Sequence, residues 1–132
     1  MDLDLALQRK KSQFQAGIFA LNKLTDGNVH ITYSEDTVSD TMLETKGAVH
    51  HTISGPHPAG NIGIQIHHIA PLNLKDIVWT LNAQDVVRIG TFFLTGELDV
   101  SNITTVVGPS IKKPAHYISR IGNEMTSLVH DN

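Results

Sequence analysis

Apolar residues near the start of the chain recur at the spacing of an α-helix. The residues that share this apolar face are Phe14, Ile18, Leu21 and Leu24. Ser12 lies three residues before Gln15, which is the spacing of a capping box, and Gly27 can take a left-handed conformation after the last turn. The pattern therefore predicts a helix over residues 12–25. Residues 2–11 are mostly polar and predict either the beginning of a helix or a loose arm.

Two segments after this helix are rich in β-branched residues and alternate between apolar and polar positions. They predict strands over residues 29–33 and 48–53. The polar, acidic segment 34–47 between them predicts either a loop or a short helix near residues 38–43. Strands and helices in alternation are typical of the α/β class, and we assign the chain to that class.

The later part of the chain again mixes strand and helix patterns. Residues 77–81 predict a strand that contains Trp79, the only tryptophan. Asn82 can cap a helix over residues 83–94. The residues that share the apolar face of this helix are Val86, Val87, Gly90 and Phe93.

Two further strands are predicted over residues 103–107 and 115–121. Glycine and proline residues between them indicate a hairpin-like connection. Residues 124–130 predict a last helix. We interpret this part of the chain as the beginning of a second small unit.

The sequence GPHPAG, residues 55–60, separates the second strand from the next apolar segment. Pro56 and Pro58 each fix φ and disfavour the α conformation in the preceding residue, and Pro58 also suits the first position of a helix. The isoleucines on a helical face are Ile62, Ile66 and Ile69. The isoleucines that alternate as in a strand are Ile62, Ile64 and Ile66. We expect a helix over residues 58–69, with a strand as the alternative.

Composition excludes several classes of function. The chain has 132 residues, of which 40% are hydrophobic, and its formal charge is −3 without any basic stripe, so we expect no nucleic-acid binding. It has no cysteine, which excludes disulfides, thiolate nucleophiles and cysteine-ligated iron–sulfur centres. No apolar run approaches the ~20 residues needed to span a bilayer. Asp2 and Asp4 are not typical of a signal peptide.

Histidines are concentrated in the middle of the chain and raise the question of a metal site. Five of the eight are His50, His51, His57, His67 and His68. Neighbouring side chains point in different directions on a strand or a helix, so each adjacent pair offers one ligand to a given site. The spacing of known zinc motifs is absent. We expect no metal site, although a metal-dependent enzyme that uses this cluster remains an alternative.

The proline-rich corner is the best candidate for a ligand site. Its candidate residues are Gly55, Pro56, His57, Pro58 and Gly60. The two outer glycines have the spacing of the first half of a P-loop, but Asn61 and Ile62 replace the lysine and the hydroxyl residue of that motif. A helix that begins after a strand can attract an anion or a carbonyl oxygen. The alternative is a rigid corner that serves packing only, and no residue stands out as catalytic.

Several long motifs in this chain resemble the A subunit of the bacterial Na+-translocating NADH:quinone reductase. They are FQAGIFALNKLTDGNVHI at 14–31, GPHPAG at 55–60, IQIHHI at 64–69, VWTLNAQDV at 78–86, FLTGEL at 93–98 and VGPSIKKPAHY at 107–117. The resemblance covers residues 13–130. It implies an internal piece of a longer polypeptide, with the later part of a Rossmann-like domain in residues 1–100. The beginning of a β-grasp ligand-binding unit would then follow in residues 101–132.

The resemblance also implies a function. The complex passes electrons from NADH to a quinone and exports Na+, and its A subunit is peripheral, on the cytoplasmic face of the bacterial inner membrane. Flavins and iron–sulfur centres belong to partner subunits, some of them in the membrane, and we expect this chain to hold no cofactor. We expect it to contribute to quinone binding and assembly without catalysing a reaction alone. The alternatives are a docking module with no small-molecule site and a homo-oligomer formed through an exposed sheet edge.

Overall fold

A computed structural model of the protein describes residues 3–130. The helices are α1 (Leu3–Leu7), α2 (Lys11–Leu24), α3 (Asp40–Leu43), α4 (Ile62–Ile69), α5 (Ala83–Thr95) and α6 (Thr126–Val129). The strands are β1 (His30–Ser34), β2 (Val49–Ile53), β3 (Ser101–Val106) and β4 (Ala115–Arg120). The α/β class expected from the sequence is confirmed.

The strands form two separate two-stranded sheets. β1 and β2 are parallel, so their carboxyl ends lie at the same edge, where Ser34 faces Ile53. β3 and β4 are antiparallel, with Ser101 opposite Arg120, which confirms the predicted hairpin-like pair. Within residues 3–130, no helix combines the length and the apolar character needed to cross a membrane.

The two long amphipathic helices pack against each other and carry the core. Its buried side chains are Leu7, Phe14, Ile18, Ile31, Met42, Val86 and Val87. The helices touch through glycines, because a Cβ on Gly90 would lie 1.7 Å from the Gln13 carbonyl oxygen, and one on Gly17 would lie 2.2 Å from the Val86 carbonyl oxygen. This close approach explains why Gly90 shares the apolar face of α5 although glycine weakens a helix.

Glutamine side chains attach the long helices to neighbouring backbone. The Gln15 amide accepts from the Lys46 N–H and donates to the Lys46 carbonyl, both at 2.8 Å. The Gln84 amide likewise accepts from the Ile103 N–H at 3.0 Å and donates to the Ile103 carbonyl at 3.4 Å. The predicted capping box is therefore wrong, because Gln15 bonds elsewhere and α2 begins at Lys11 without a side-chain cap.

The ends of the long helices differ in how well the sequence predicts them. The Asn82 side chain accepts from the Asp85 N–H, which confirms the predicted cap of α5. The prediction of a left-handed Gly27 is wrong, because α2 ends at an extended Thr25. Both apolar faces end earlier than predicted, since Leu24 is 75% exposed and Phe93 is 63% exposed.

The segment between α4 and α5 contains no strand. Residues 77–81 have no regular secondary structure and pair with no strand among the described residues, so the strand predicted around Trp79 is wrong. All of residues 72–81 are exposed, and we call this stretch the apolar segment. Its large hydrophobic residues are Leu72, Leu74, Ile77, Val78, Trp79 and Leu81.

Candidate ligand-binding site

The proline-rich corner lies at the carboxyl edge of the parallel sheet. β2 ends at Ile53, and Gly55 turns the chain with φ of 121°, a conformation that favours glycine. Two turns follow, in which the Ala59 N–H donates to the Pro56 carbonyl at 3.0 Å and the Asn61 N–H donates to the Pro58 carbonyl at 2.8 Å. The chain thus completes a compact corner before α4 begins.

Helix α4 begins later than the sequence predicts. Its first residue is Ile62 and its flanking residue Asn61 is extended, so Pro58 lies in a turn before the helix rather than at its first position. The helical interpretation of the isoleucines is confirmed and the strand alternative is wrong. No residue of α4 is buried.

Gln65 connects the corner to the sheet. Its amide accepts from the Thr32 hydroxyl at 2.9 Å and donates to the Ala59 carbonyl at 3.2 Å. Strand β1 therefore holds both the beginning of α4 and the end of the corner in one position.

The five candidate residues are brought together on the surface. Each of Gly55, Pro56, His57, Pro58 and Gly60 is exposed. A Cβ on Gly60 would meet nothing within 4 Å, so this glycine leaves open space rather than a close backbone contact. The arrangement offers an exposed surface, and the role of these residues as ligand contacts stays a prediction.

Three of the histidines, His30, His50 and His51, lie on the parallel sheet. His30 Nδ1 and His51 Nε2 lie 2.9 Å apart and their rings stack, while His50 Nε2 lies 2.8 Å from the Thr45 carbonyl oxygen. Burial, together with His30 and His50, lowers the pKa of His51. Residues 3–130 contain no group of three or more histidine, aspartate or glutamate side chains that could hold a metal ion.

A cleft that the sequence did not indicate lies between α5 and the β3–β4 hairpin. The guanidinium of Arg88 forms an ion pair with Asp85 and donates from Nη2 to the Ser101 carbonyl at 3.0 Å and to Asn102 Oδ1 at 3.3 Å. The Arg88 side chain is only 14% exposed, so these contacts fix it firmly. The cleft has a volume of about 370 Å³.

A second cleft of about 480 Å³ adjoins the first along Arg120, which lines both. Asp99 lies in the second cleft, and its hydrogen bonds to Ser101 lower the pKa of its carboxyl. Neither cleft is lined by a residue of the proline-rich corner. One feature of the sequence that none of the predictions above uses could have indicated this region: Arg88 is the only basic residue between Lys75 and Lys112 and lies on an amphipathic helix.

Comparison with known families decides where the chain belongs. The family described as NqrA second alpha/beta domain matches residues 1–98. The chain belongs to this family. The resemblance to the A subunit that the sequence motifs indicated is thereby confirmed. A division into units at residues 1–100 and 101–132 stays a prediction.

Relatives of this NqrA second alpha/beta domain carry the same name in different bacteria. The A subunit of the Na(+)-translocating NADH-quinone reductase of Rhodopirellula baltica is 37% identical over 128 residues, which cover 97% of this chain and 28% of that protein. The A subunits of Marinomonas sp. strain MWYL1 and Serratia proteamaculans are 36% and 32% identical, each with 96% of this chain and 28% of that protein covered. The chain spans about 28% of the length of these relatives.

Proposed function

We propose that this chain is a domain of the A subunit in a Na+-translocating NADH:quinone reductase. It contributes to quinone binding and assembly in a complex that transfers electrons from NADH to quinone and exports Na+. The observation that carries this proposal is the match of nearly the whole chain to A-subunit relatives, 97% of it in one case. The chain has no cysteine, so the iron–sulfur centres of the complex are proposed to lie in partner subunits.

The partners follow from the same proposal. Flavin-bearing and membrane subunits hold the flavins and the iron–sulfur centres, while this domain sits peripherally at the cytoplasmic face of the inner membrane. The exposed apolar segment supports contact with other parts of such an assembly, because large contiguous apolar patches are rare on monomeric proteins.

The proline-rich corner is proposed as a contact for quinone or for a partner subunit. Its position at the carboxyl edge of parallel strands supports this, since ligands of α/β proteins bind outside that edge. A short-chain ubiquinone titrated into the full-length subunit tests it. We expect His57→Ala and Pro58→Ala each to weaken binding about threefold or more, as the loss of roughly one contact does.

Matched controls make this titration interpretable. His68→Ala replaces an exposed histidine of α4, and Pro71→Ala replaces an exposed proline beyond it. We expect both to bind quinone as the unsubstituted subunit does. Unchanged affinity in both corner variants removes the corner from the binding site.

A docking module with no small-molecule site is the second candidate function. The apolar segment favours it, because Leu74 and Trp79 are 93% and 87% exposed. A photo-crosslinking residue at position 79 in the assembled complex should then react with a membrane subunit, and one at position 24, on exposed Leu24, should not. Crosslinking at position 79 together with a quinone titration that never saturates would favour docking over quinone binding.

A further inference from the structure

The cleft between α5 and the β3–β4 hairpin is lined by both polar and apolar side chains. Its volume of about 370 Å³ lies within the range of small-molecule sites. The polar lining includes Asp85, Arg88, Asn102, Thr104, Ser119 and Arg120. The apolar lining residues are Ile121, Met125 and Leu128. Such a combination suits a ligand with a flat apolar body and a few polar atoms.

Hydrogen-bond donors in the cleft are held in position by the fold. Arg88 uses three N–H groups for Asp85, Ser101 and Asn102, and a guanidinium has five, so two remain for a ligand. Its low exposure means that little side-chain entropy is lost when a ligand binds.

The hairpin contributes hydroxyl groups to the same cleft. The Thr104 and Ser119 hydroxyl oxygens lie 2.8 Å apart, and the Ser119 hydroxyl also donates to the Asn102 carbonyl at 3.3 Å. Asn102 and Ser119 are paired across the strands, so both stand on one face of the hairpin. Serine and threonine hydroxyls can rotate to donate or accept, so this face can adapt to a carbonyl or to a hydroxyl group.

We propose that this cleft binds the ring of a quinone at a place separate from the proline-rich corner, a choice of ligand that rests on the proposed function. The carbonyl oxygens of a quinone only accept hydrogen bonds. Arg88 supplies donors, and the Thr104 hydroxyl supplies another when the Ser119 hydroxyl donates to it instead of to the Asn102 carbonyl. The hydroxyls of the reduced ring donate, and the Asp85 carboxylate accepts. The flat ring packs against Met125 and its apolar neighbours, since sulfur makes favourable contacts with planar rings.

Two adjacent threonines on β3 provide a matched test. Thr104 lines the cleft, whereas Thr105 stands on the opposite face, where its hydroxyl bonds the exposed His116. The full-length subunit is titrated with a short-chain ubiquinone by calorimetry. We expect Thr104→Val to raise Kd about fivefold, as loss of one hydrogen bond does, and Thr105→Val to leave Kd within about twofold.

A second variant tests the same cleft if Thr104→Val does not fold. Arg120 is an exposed cation at the cleft, and Arg120→Gln is expected to raise Kd about fivefold, with Arg9→Gln as the exposed control. Thermal unfolding followed by circular dichroism verifies that each variant is folded.

The outcomes separate this inference from the proposed function. If the unsubstituted subunit binds quinone and folded Thr104→Val and Arg120→Gln bind it equally well, the cleft is not the site while the proposed function stands. If the unsubstituted subunit does not bind quinone, both proposals are overturned. Loss of affinity in both cleft variants with unchanged controls supports the cleft.

Discussion

Gly17 and Gly90 allow the backbones of α2 and α5 to touch. At both positions a Cβ would meet a carbonyl oxygen at a distance that no real contact reaches. The nearest atoms are backbone, which cannot rotate away as a flexible side chain can. Any larger residue must therefore push the two helices apart and open the core between them.

Gly90→Ala is expected to destabilise the chain by about 3 kcal/mol, the upper part of the usual range for overpacking. The cause is the collision of the new Cβ with the Gln13 carbonyl. The measurement is the free energy of unfolding in urea. Gly63→Ala in α4 is the control, because its Cβ meets nothing within 4 Å and the change should stabilise by about 0.5–1 kcal/mol. Equal effects of the two substitutions would contradict the close helix contact.

The histidine pair on the parallel sheet makes stability depend on pH. Burial and the neighbouring His30 and His50 lower the pKa of His51 below its usual value of 6.5. The unfolded chain therefore binds a proton at a pH where the folded chain does not. Stability from this group is present above pH 6.5 and is lost as the pH falls towards the lowered pKa.

His51→Gln should reduce this dependence on pH. We expect the urea midpoint of the unsubstituted chain to fall between pH 7.5 and pH 5.5, a window that brackets the pKa of about 6.5 of unperturbed histidine, and to fall less in His51→Gln. His68→Gln, at an exposed position of α4, serves as control and should keep the full slope. A slope that is the same in all three proteins would show that the His30–His51 contact has no role in it.

At the scale of secondary-structure elements, a side-chain amide forms hydrogen bonds to backbone groups that a neighbouring strand would usually bond. The Gln84 side chain forms hydrogen bonds with both the N–H and the carbonyl of Ile103, so α5 is attached to β3 at this residue. Arg88, one turn later, bonds the Ser101 carbonyl on the same strand. The position of the hairpin against α5 therefore depends on two side chains of one helical face.

Gln84→Met tests this attachment. The substitution keeps the size of the side chain but leaves the Ile103 N–H and carbonyl without their partner, which should cost about 2 kcal/mol for two hydrogen bonds. Hydrogen exchange should report an Ile103 amide that exchanges about tenfold faster or more. The control is Gln8→Met at an exposed position, where Ile103 exchange should not change. Unchanged exchange in Gln84→Met would mean that the hairpin is held by other contacts.

The sequence predicts elements well where the signal is local. The amphipathic patterns of α2 and α5 and the alternation of β1 and β2 depend on neighbouring residues, and the structure has these elements within one or two residues of the predicted bounds. The strand predicted at residues 77–81 has suitable residues, but a strand also needs a partner for its backbone groups, and none of the described strands pairs with it. Pro58 suits a helix start locally, yet the turns after Pro56 delay α4 to Ile62.

The two candidate sites also differ in how far the sequence can predict them. The proline-rich corner is one continuous stretch, so its glycines and prolines mark it in the sequence. The cleft is assembled from α5, both strands of the hairpin and the segment after it, from Asp85 to Leu128. No local spacing joins these residues, because they come from separate elements, with Gln84 and Arg88 bonding α5 to β3.

At the scale of the whole molecule, the core and the exposed surface are unevenly distributed. Among the described residues, no buried member of the core cluster lies beyond Val87, whereas many large apolar residues between Leu72 and Met125 are exposed. The first part of the chain therefore carries most of the burial, and the apolar segment offers surface for contact with other protein.

The chain on its own is expected to self-associate through the apolar segment. The double substitution Ile77→Thr with Trp79→Ser should shift it towards the monomer, because it removes two highly exposed apolar side chains. Sedimentation velocity at increasing concentration measures the change. Leu24→Ser, which alters an exposed leucine outside the segment, should leave the association as it was. A monomer at every concentration would contradict this prediction.

A shortened chain of residues 1–100 should still unfold in one cooperative transition. The whole core cluster is retained, and the expected cost is about 2–3 kcal/mol because Gln84 and Arg88 lose their partners on β3. Urea unfolding followed by far-ultraviolet circular dichroism is the measurement. A broad, non-cooperative transition would mean that the hairpin belongs to the same folding unit as the core, against the proposed division.

The bonds between Gln84 and Ile103 also affect whether another strand can pair with the hairpin. The Gln84 side chain occupies the N–H and the carbonyl that Ile103 would offer to a new strand. Another strand could pair with β3 at this residue only by displacing Gln84, so one amide of α5 protects this point of the strand against pairing with another chain.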